Sequence, residues 1–231
     1  YNDKLLAYSL DLKGSEYYTI HIRDIKSREQ VGEKIENTSG GITFSLDDKY
    51  IFYSKLDDNH RPREIYRHEI GTPTSKDILI FKEESEAFTV GIGLSSDEKY
   101  FFITSSDHNT SEQYYFKADE IIPKPKLIDK RKRGIIYSVN SWNDNFYKHT
   151  NEDAEDFKIE KTNDLEKKEW ETFIPAREEV LIGGLIFLND WIIRSETSNA
   201  LSKLILRNPK NDEEEEIFFS DEKVIVPGVS L

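Results

Sequence analysis

Short apolar runs, rich in β-branched and aromatic side chains, alternate along the whole chain with polar stretches carrying Gly, Pro, Asn and Asp. That pattern predicts strands and turns. No stretch keeps a 3.6-residue apolar period over a dozen positions between capping signals, so helices are not expected. The best helix candidate, Asn151–Trp170, breaks at Asn163-Asp164 and alternates at Phe157 and Ile159. It is read as a strand and a turn.

The runs repeat. "DDKYIFYS" at Asp47 is followed by the near-copy "DEKYFFIT" at Asp97, with "NDKLLAYS" at Asn2 and weaker copies "NDNFYKHT" at Asn143 and "NDWIIRSE" at Asn189. Their first apolar residues, Leu5, Tyr50, Tyr100, Phe146 and Trp191, are spaced by 45, 50, 46 and 45. A period in the mid-forties is that of β-propeller blades, each a four-stranded antiparallel sheet. Helical two-helix repeats share the period, and the strand pattern between anchors decides against them. Strands are expected at Gly41–Ser45, Tyr50–Lys55, Glu64–Ile70 and Ile78–Lys82, and again at Phe88–Leu94, Tyr100–Ser105, Gln113–Ala118 and Lys126–Asp129. The acidic pair and lysine make the turn between the inner two strands. The aromatic residues that follow fill the space between blades.

The expected fold is therefore all-β, one β-propeller domain over residues 1–231 with about five blades present. Leu5–Leu10 reads as a second strand without its inner partner, and Lys223–Ser230 as a first strand without the rest of its blade. Either Val224–Val229 slots beside Leu5–Leu10 and closes a five-bladed ring, or the chain is part of a larger ring.

Composition narrows the function. The 231 residues suffice for a substantial core. A net charge of −13 argues against nucleic-acid binding, which needs a basic footprint. The absence of cysteine excludes disulfides and thiolate zinc sites and fits the cytoplasm. No apolar run is long enough to span a membrane, and no signal-peptide pattern is present. There is no methionine, even at position 1, so a fragment or processed product is expected.

Candidate chemistry is sparse. There is no Gly-x-Ser-x-Gly nucleophile elbow, and none of His21, His60, His68, His108 and His149 sits in a recognisable base motif. His60, Glu64 and His68 share one parity along an extended run, which makes a metal site conceivable. The plainer reading is a strand-edge cluster in which Arg61, Arg63 and Arg67 pair the acids. "KPKLIDKRKRG" (Lys124–Gly134) holds six basic residues and is read as a solvated outer strand and loop. "NDEEEEIFF" (Asn211–Phe219) is read as a charged turn at a blade's outer edge. The expected inner strands, "GITFS", "FTVGIGLS", "IIYSVNS", "VLIGGLIF" and "VIVPGVS", carry no carboxylate. That argues against a glycosidase, which needs a carboxylate pair there. "GIGLSS" (Gly91–Ser96) leads into a strand and is not a dinucleotide loop. The sequons at Asn37 and Asn109 bear only on a secreted chain. No cofactor is expected.

Several stretches resemble one family. "YRHEIGT" (Tyr66–Thr72) is similar to the Trp-Arg-His-x-x-Gly-Thr signature in the propeller of oligopeptidase B, of the prolyl oligopeptidase family of serine peptidases. "LAYSLDLKGSEYYTIHIRDI" (Leu6–Ile25), "IENTSGGITFSLDDKYIFY" (Ile35–Tyr53), "NTSEQYYF" (Asn109–Phe116) and "WETFIPAREEVLIGGLIFLNDWII" (Trp170–Ile193) resemble the same family, in family order. The residues that carry the resemblance, taken as structural, are Arg67, His68, Gly71, Thr72, Thr110, Ser111, Glu112, Trp170, Pro175 and Trp191. The chain departs from the pattern at Tyr66, where Trp is usual, and at the apolar Ile135-Ile136. It departs again at Glu196-Thr197 and Ala200-Leu201, where Glu-Arg and Gly-Leu are usual.

The resemblance implies a seven-bladed propeller over an α/β-hydrolase domain that holds the whole Ser-Asp-His triad. It implies a partner, that hydrolase domain, and short basic peptides as substrates, cut after Arg or Lys. The propeller would restrict entry and hold no catalytic residue. A stand-alone scaffold for protein partners, or a degenerate remnant of the peptidase, is the alternative.

Overall fold

The computed structural model describes residues 3–120 and 122–217. It is antiparallel throughout, and the 3-10 turn Thr74–Lys76 is the one helical element among the described residues. The expected last strand, Lys223–Ser230, and its pairing beside Leu5–Leu10 lie outside them. The chain divides into two compact units between Gly134 and Ile135.

In the first unit, β1 (Leu5–Leu10), β2 (Tyr18–Asp24), β3 (Ile35–Phe44), β4 (Tyr50–Leu56), β5 (Pro62–Glu69) and β6 (Ile78–Lys82) form one sheet in chain order. A second sheet holds β7 (Thr89–Leu94), β8 (Tyr100–Ser106), β9 (Ser111–Lys117) and β10 (Lys126–Leu127). The second unit has two four-stranded sheets. One is β11 (Tyr137–Trp142), β12 (Asn145–Thr150), β13 (Lys158–Thr162) and β14 (Glu171–Ile174). The other is β15 (Leu181–Phe187), β16 (Ile192–Ser198), β17 (Leu201–Arg207) and β18 (Glu214–Glu216). Each up-and-down set of four is a blade. Asn151–Trp170 is strand and turn.

The six-stranded sheet is two blades joined through β3. Its first half pairs with β2, with Ile35 opposite Ile20, and its second half with β4, with Phe44 opposite Ile51. The register shifts between Thr38 and Ile42. Gly40 sits there at φ +88, and a Cβ on it would lie 3.0 Å from the Tyr18 ring. The inner strand expected to begin at Gly41 thus runs on unbroken from the outer strand of the blade before it, across a glycine bend.

The repeated turn is the same structure twice. Ser45 Oγ donates to Asp47 Oδ1 at 2.8 Å and accepts from the Tyr50 N–H at 3.0 Å, and the Lys49 N–H donates to Asp47 Oδ1 at 3.2 Å. Ser95, Asp97, Lys99 and Tyr100 repeat these bonds, in the same order, at 2.8, 3.0 and 3.2 Å. The fourth turn residue, Asp48 or Glu98, takes positive φ (54° and 59°). The serine and aspartate satisfy turn N–H groups that the ladder leaves unpaired.

The strand that follows is buried on both faces because blades stack on either side of it. In β4, Ile51 and Tyr53 join a cluster with Ile20, Ile22 and Ile35, whereas Phe52 joins Ile65, Val90, Phe101, Ile103 and Phe116. In the second unit Trp142, Tyr147, Ile159 and Ile174 pack with Ile182 and Ile192. Alternate residues of one strand thus serve two different cores. The acidic run expected to be a turn is in part a strand: Glu214–Glu216 is β18, paired with β17, and the turn precedes it.

Candidate functional site

Most of the family-like residues lie in anchoring clusters, and Pro175 and Trp191 stand exposed outside them. In the first cluster, β5 alternates Tyr66, Arg67 and His68 to opposite faces. His68 Nδ1 lies 2.7 Å from Asp77 Oδ1, and the Tyr53 hydroxyl donates to Asp77 Oδ2 at 2.8 Å. The His68 and Asp77 side chains are 0% and 4% exposed. Asp77 closes the turn Thr74–Lys76, so this triangle fixes the β5–β6 connection. Burial first, and then the Asp77 carboxylate, push the Tyr53 phenol well above its usual range. Gly71 turns the chain at φ +88 and Thr72 Oγ1 donates to the Glu69 carbonyl at 2.8 Å. A Cβ on Gly32 would meet Gly71 Cα at 3.0 Å, and Glu33 accepts from the Thr74 N–H at 3.0 Å. Two loops of neighbouring blades are thereby laid backbone to backbone. Arg67 faces the other way, its guanidinium 4.2 Å from the Tyr50 ring, with Nε and Nη1 buried and unbonded.

The second cluster is built on β9. Glu112, 5% exposed, accepts from the Tyr114 hydroxyl at 2.6 Å, from the Arg131 N–H at 2.9 Å and from the Arg131 guanidinium at 3.2 Å. The same guanidinium reaches Glu83, 3% exposed, at 2.7 Å and stacks 4.1 Å over the Phe88 ring. Glu83 also accepts from Ser105 Oγ at 2.5 Å and from the Ser85 N–H at 2.8 Å. Burial opposes ionisation of both carboxylates, yet these hydrogen bonds outweigh it and hold both below the usual glutamate range. Thr110 Oγ1 accepts from the Gly134 N–H at 3.2 Å, and Ser111 begins the strand. The basic stretch Lys124–Gly134 is therefore not solvated throughout: Arg131 is anchored.

The third set lies in the second unit. Lys148 bonds Glu160 at 2.8 Å and sits 4.4 Å over the Trp170 ring. Pro175 follows β14 in an exposed position. Glu196 accepts from Arg194 Nε at 2.7 Å and from Arg177. Arg194 also makes a two-pronged bond to Glu214, at 2.7 and 2.6 Å. His149 Nε2 lies 2.7 Å from the Ile182 carbonyl, and its ring stacks on Phe157 at 4.5 Å. Trp191 stands one residue before β16, exposed, its carbonyl accepting from the Leu188 N–H at 2.8 Å. A hollow of about 200 Å³ opens beside Tyr147, His149, Gly184 and Phe187.

The candidate metal ligands do not converge. His60 packs on the Tyr17 ring at 4.1 Å, Glu64 bonds Lys82 and Tyr66, and His68 bonds Asp77. Among the described residues no group of three or more His, Asp or Glu is placed to hold a metal ion. The expected arginine–acid pairing holds only for Arg63, 3.8 Å from Asp57. Arg61 donates instead to the Glu86 carbonyl and Arg67 stacks on Tyr50. The buried ion pairs were out of reach of sequence reasoning. Glu83 and Arg131 are 48 residues apart, with only the run of basic residues after β10 as a signal. No described helix is long and apolar enough to cross a membrane.

Comparison with known proteins gives one consistent result. The domain described as the prolyl oligopeptidase N-terminal beta-propeller matches residues 2–230. "Protease 2" of Moraxella lacunata is 32% identical over 193 residues, covering 78% of this chain and 28% of that protein. "Dipeptidyl aminopeptidase BI" of Pseudoxanthomonas mexicana is 28% identical over 236 residues, 99% of this chain and 32% of that one. The solved structure of oligopeptidase B from Leishmania major superposes with a TM-score of 0.88 at 19% identity, over 94% of this chain and 32% of that one. The Trypanosoma brucei oligopeptidase B does so with a TM-score of 0.85 at 25% identity, over the same shares. The chain spans about a third of the length of these relatives.

Proposed function

The chain belongs to the prolyl oligopeptidase family, as its N-terminal β-propeller, and from that membership we propose that it is the non-catalytic, gating part of a serine peptidase. Its partner is an α/β-hydrolase domain that carries the triad. In this reading the enzyme acts on short peptides, cuts after Arg or Lys as an oligopeptidase B does, and works in the cytoplasm. The carrying observation is the match to the family's propeller domain over residues 2–230. Two features of the chain support the finer reading. It has no nucleophile elbow of its own. Its net charge of −13 draws cationic peptides toward it over the range set by ionic strength.

The test joins the chain to a hydrolase domain of the family and compares the joined protein with that domain alone. Short Arg and Lys peptides, a prolyl peptide, a dipeptidyl substrate and a long unfolded polypeptide serve as substrates. Rapid cleavage of the short basic peptides, with the long chain spared only when the propeller is present, supports the proposal. Equal size discrimination without the propeller overturns the gating role, and preference for the prolyl or dipeptidyl substrate overturns the specificity.

A further inference from the structure

The segment Lys130-Arg131-Lys132-Arg133 ends the first compact unit. It lies between β10 and β11 with no regular structure, and Lys130, Lys132 and Arg133 are exposed. Four basic residues in exposed, irregular chain are the preferred substrate of peptidases that cut after Lys or Arg, provided the chain can be drawn out into extended form.

Here it is held instead. The Ile128 N–H donates to the Gln113 carbonyl at 2.9 Å, the Arg131 N–H to Glu112 Oε2 at 2.9 Å, and the Gly134 N–H to Thr110 Oγ1 at 3.2 Å. The segment is thus tied down along the start of β9 at three places. Only two residues, Lys132 and Arg133, lie between the last two ties. The strongest tie is the Arg131 guanidinium, held by two buried carboxylates and by the Phe88 ring. The other three basic side chains have no comparable burial.

We propose that Arg131 is the latch of a proteolytic site. While Glu83 and Glu112 hold it, the tetrabasic segment is denied to peptidases of basic specificity, and once it is released they cut the Arg133–Gly134 bond. In that step water adds across the peptide C–N bond: Arg133 gains a carboxylate, and Gly134 leaves as a free amine. The position has a structural consequence. β1–β10 and β11–β18 fall on opposite sides of the bond, so cleavage there divides no sheet. The inference goes beyond the proposed peptidase function and does not depend on it.

Limited digestion of the whole chain with trypsin tests this, with the products identified by mass. Arg131→Gln and Glu112→Gln are expected to speed the appearance of fragment 134–231 roughly 10- to 100-fold, because cleavage follows the population of the opened segment. Arg207→Gln, which breaks an ion pair of the second unit, is expected to leave that rate unchanged. Equal rates in the unaltered chain and both latch variants, or an equal rise in Arg207→Gln, would overturn the proposal. Hydrogen exchange on the unaltered protein gives a measurement free of any folding defect. Slow exchange of the Arg131 and Gly134 amides supports the latch, and exchange at the rate of open chain overturns it.

Discussion

His68 Nδ1 and Asp77 Oδ1 stand 2.7 Å apart, both side chains closed off from solvent, and the Tyr53 hydroxyl bonds the other oxygen of the same carboxylate. Three strands' worth of chain thus meet on one aspartate. Removing it leaves a buried imidazole and a buried phenol without their partner, which costs more than the bonds themselves contribute. Asp77→Ala is expected to lower unfolding stability by about 3 kcal/mol. Urea denaturation followed by far-ultraviolet circular dichroism, which reports the strands of both units, measures it. Tyr53→Phe should cost much less once Asp77 is gone, since the two share one interaction. Strict additivity of the two changes would show that the triangle is not a unit.

Gly183 and Gly184 are neighbours in β15, but their surroundings differ. A Cβ on Gly183 would fall 2.0 Å from Ser195 Oγ and 3.1 Å from the Ser195 carbonyl oxygen, whereas one on Gly184 meets nothing within 4 Å. The serine side chain can move, but the backbone oxygen of the paired strand cannot without disturbing the sheet. Gly183→Ala is expected to cost about 1–3 kcal/mol, and Gly184→Ala less than about 1 kcal/mol. Thermal unfolding of the two single variants checks the contrast. Equal losses would mean that the sheet spacing at β16 is looser than the structure shows.

Much of the architecture was readable because repetition is a sequence property. The serine–aspartate turn at Ser45 and its copy at Ser95 are spelled alike and bond alike. Strand limits were right to within two or three residues, as at β5 and β9, because turn residues mark them directly. The run through β3 was not readable, since Ser39-Gly40-Gly41 looks like a break and acts as a bend. The anchoring clusters were not readable either. Arg131 meets Glu83 and Glu112 through pairings 48 and 19 residues apart in sequence, and nothing local to the basic run tells Arg131 from Arg133. The residues Thr110 and Glu112 were singled out by family likeness, and the structure shows what each touches.

At alkaline pH the tyrosines should divide into classes. Burial pushes the Tyr147 phenol up to about 12, and burial with the Glu112 carboxylate beside it does the same for Tyr114. Exposed tyrosines ionise near pH 10. A raised folded-state pKa means that the unfolded chain loses its proton first. The stability tied to these groups is full below about pH 10 and is lost as pH rises toward 12. Tyr147→Phe keeps the ring contacts with Phe173 and Phe187 and removes the ionising hydroxyl. It is expected to be near neutral at pH 7 and to flatten the alkaline fall. Phenolate absorbance against pH, with and without Tyr147, gives the late-ionising fraction directly. An unchanged late phase in the variant would assign that phase elsewhere.

His149 sets the behaviour on the acid side. Burial against Phe157 lowers its pKa below the ordinary histidine value, and the hydrogen bond to the Ile182 carbonyl offsets only part of that. The ring is therefore held neutral, with Nε2 carrying the proton it shares with the carbonyl. The unfolded chain takes up a second proton near pH 6.5 while the folded chain resists. With more protons bound in the unfolded state, stability falls as pH falls. The loss starts near pH 6.5 and runs through the lowered folded-state value. Glu83, Glu112, Glu160 and Glu214 all act in the same direction, but their pKa values are held below the usual carboxylate range, so they contribute only at lower pH. Between pH 6.5 and 5 the two effects separate. His149→Gln keeps an N–H donor for the carbonyl and removes the titration. Urea midpoints at pH 8 and pH 5.5 are expected to drop for the unaltered chain and to stay level for the variant. An equal drop in both would place the acid sensitivity on another group and leave the bond from β12 to β15 with a purely structural role.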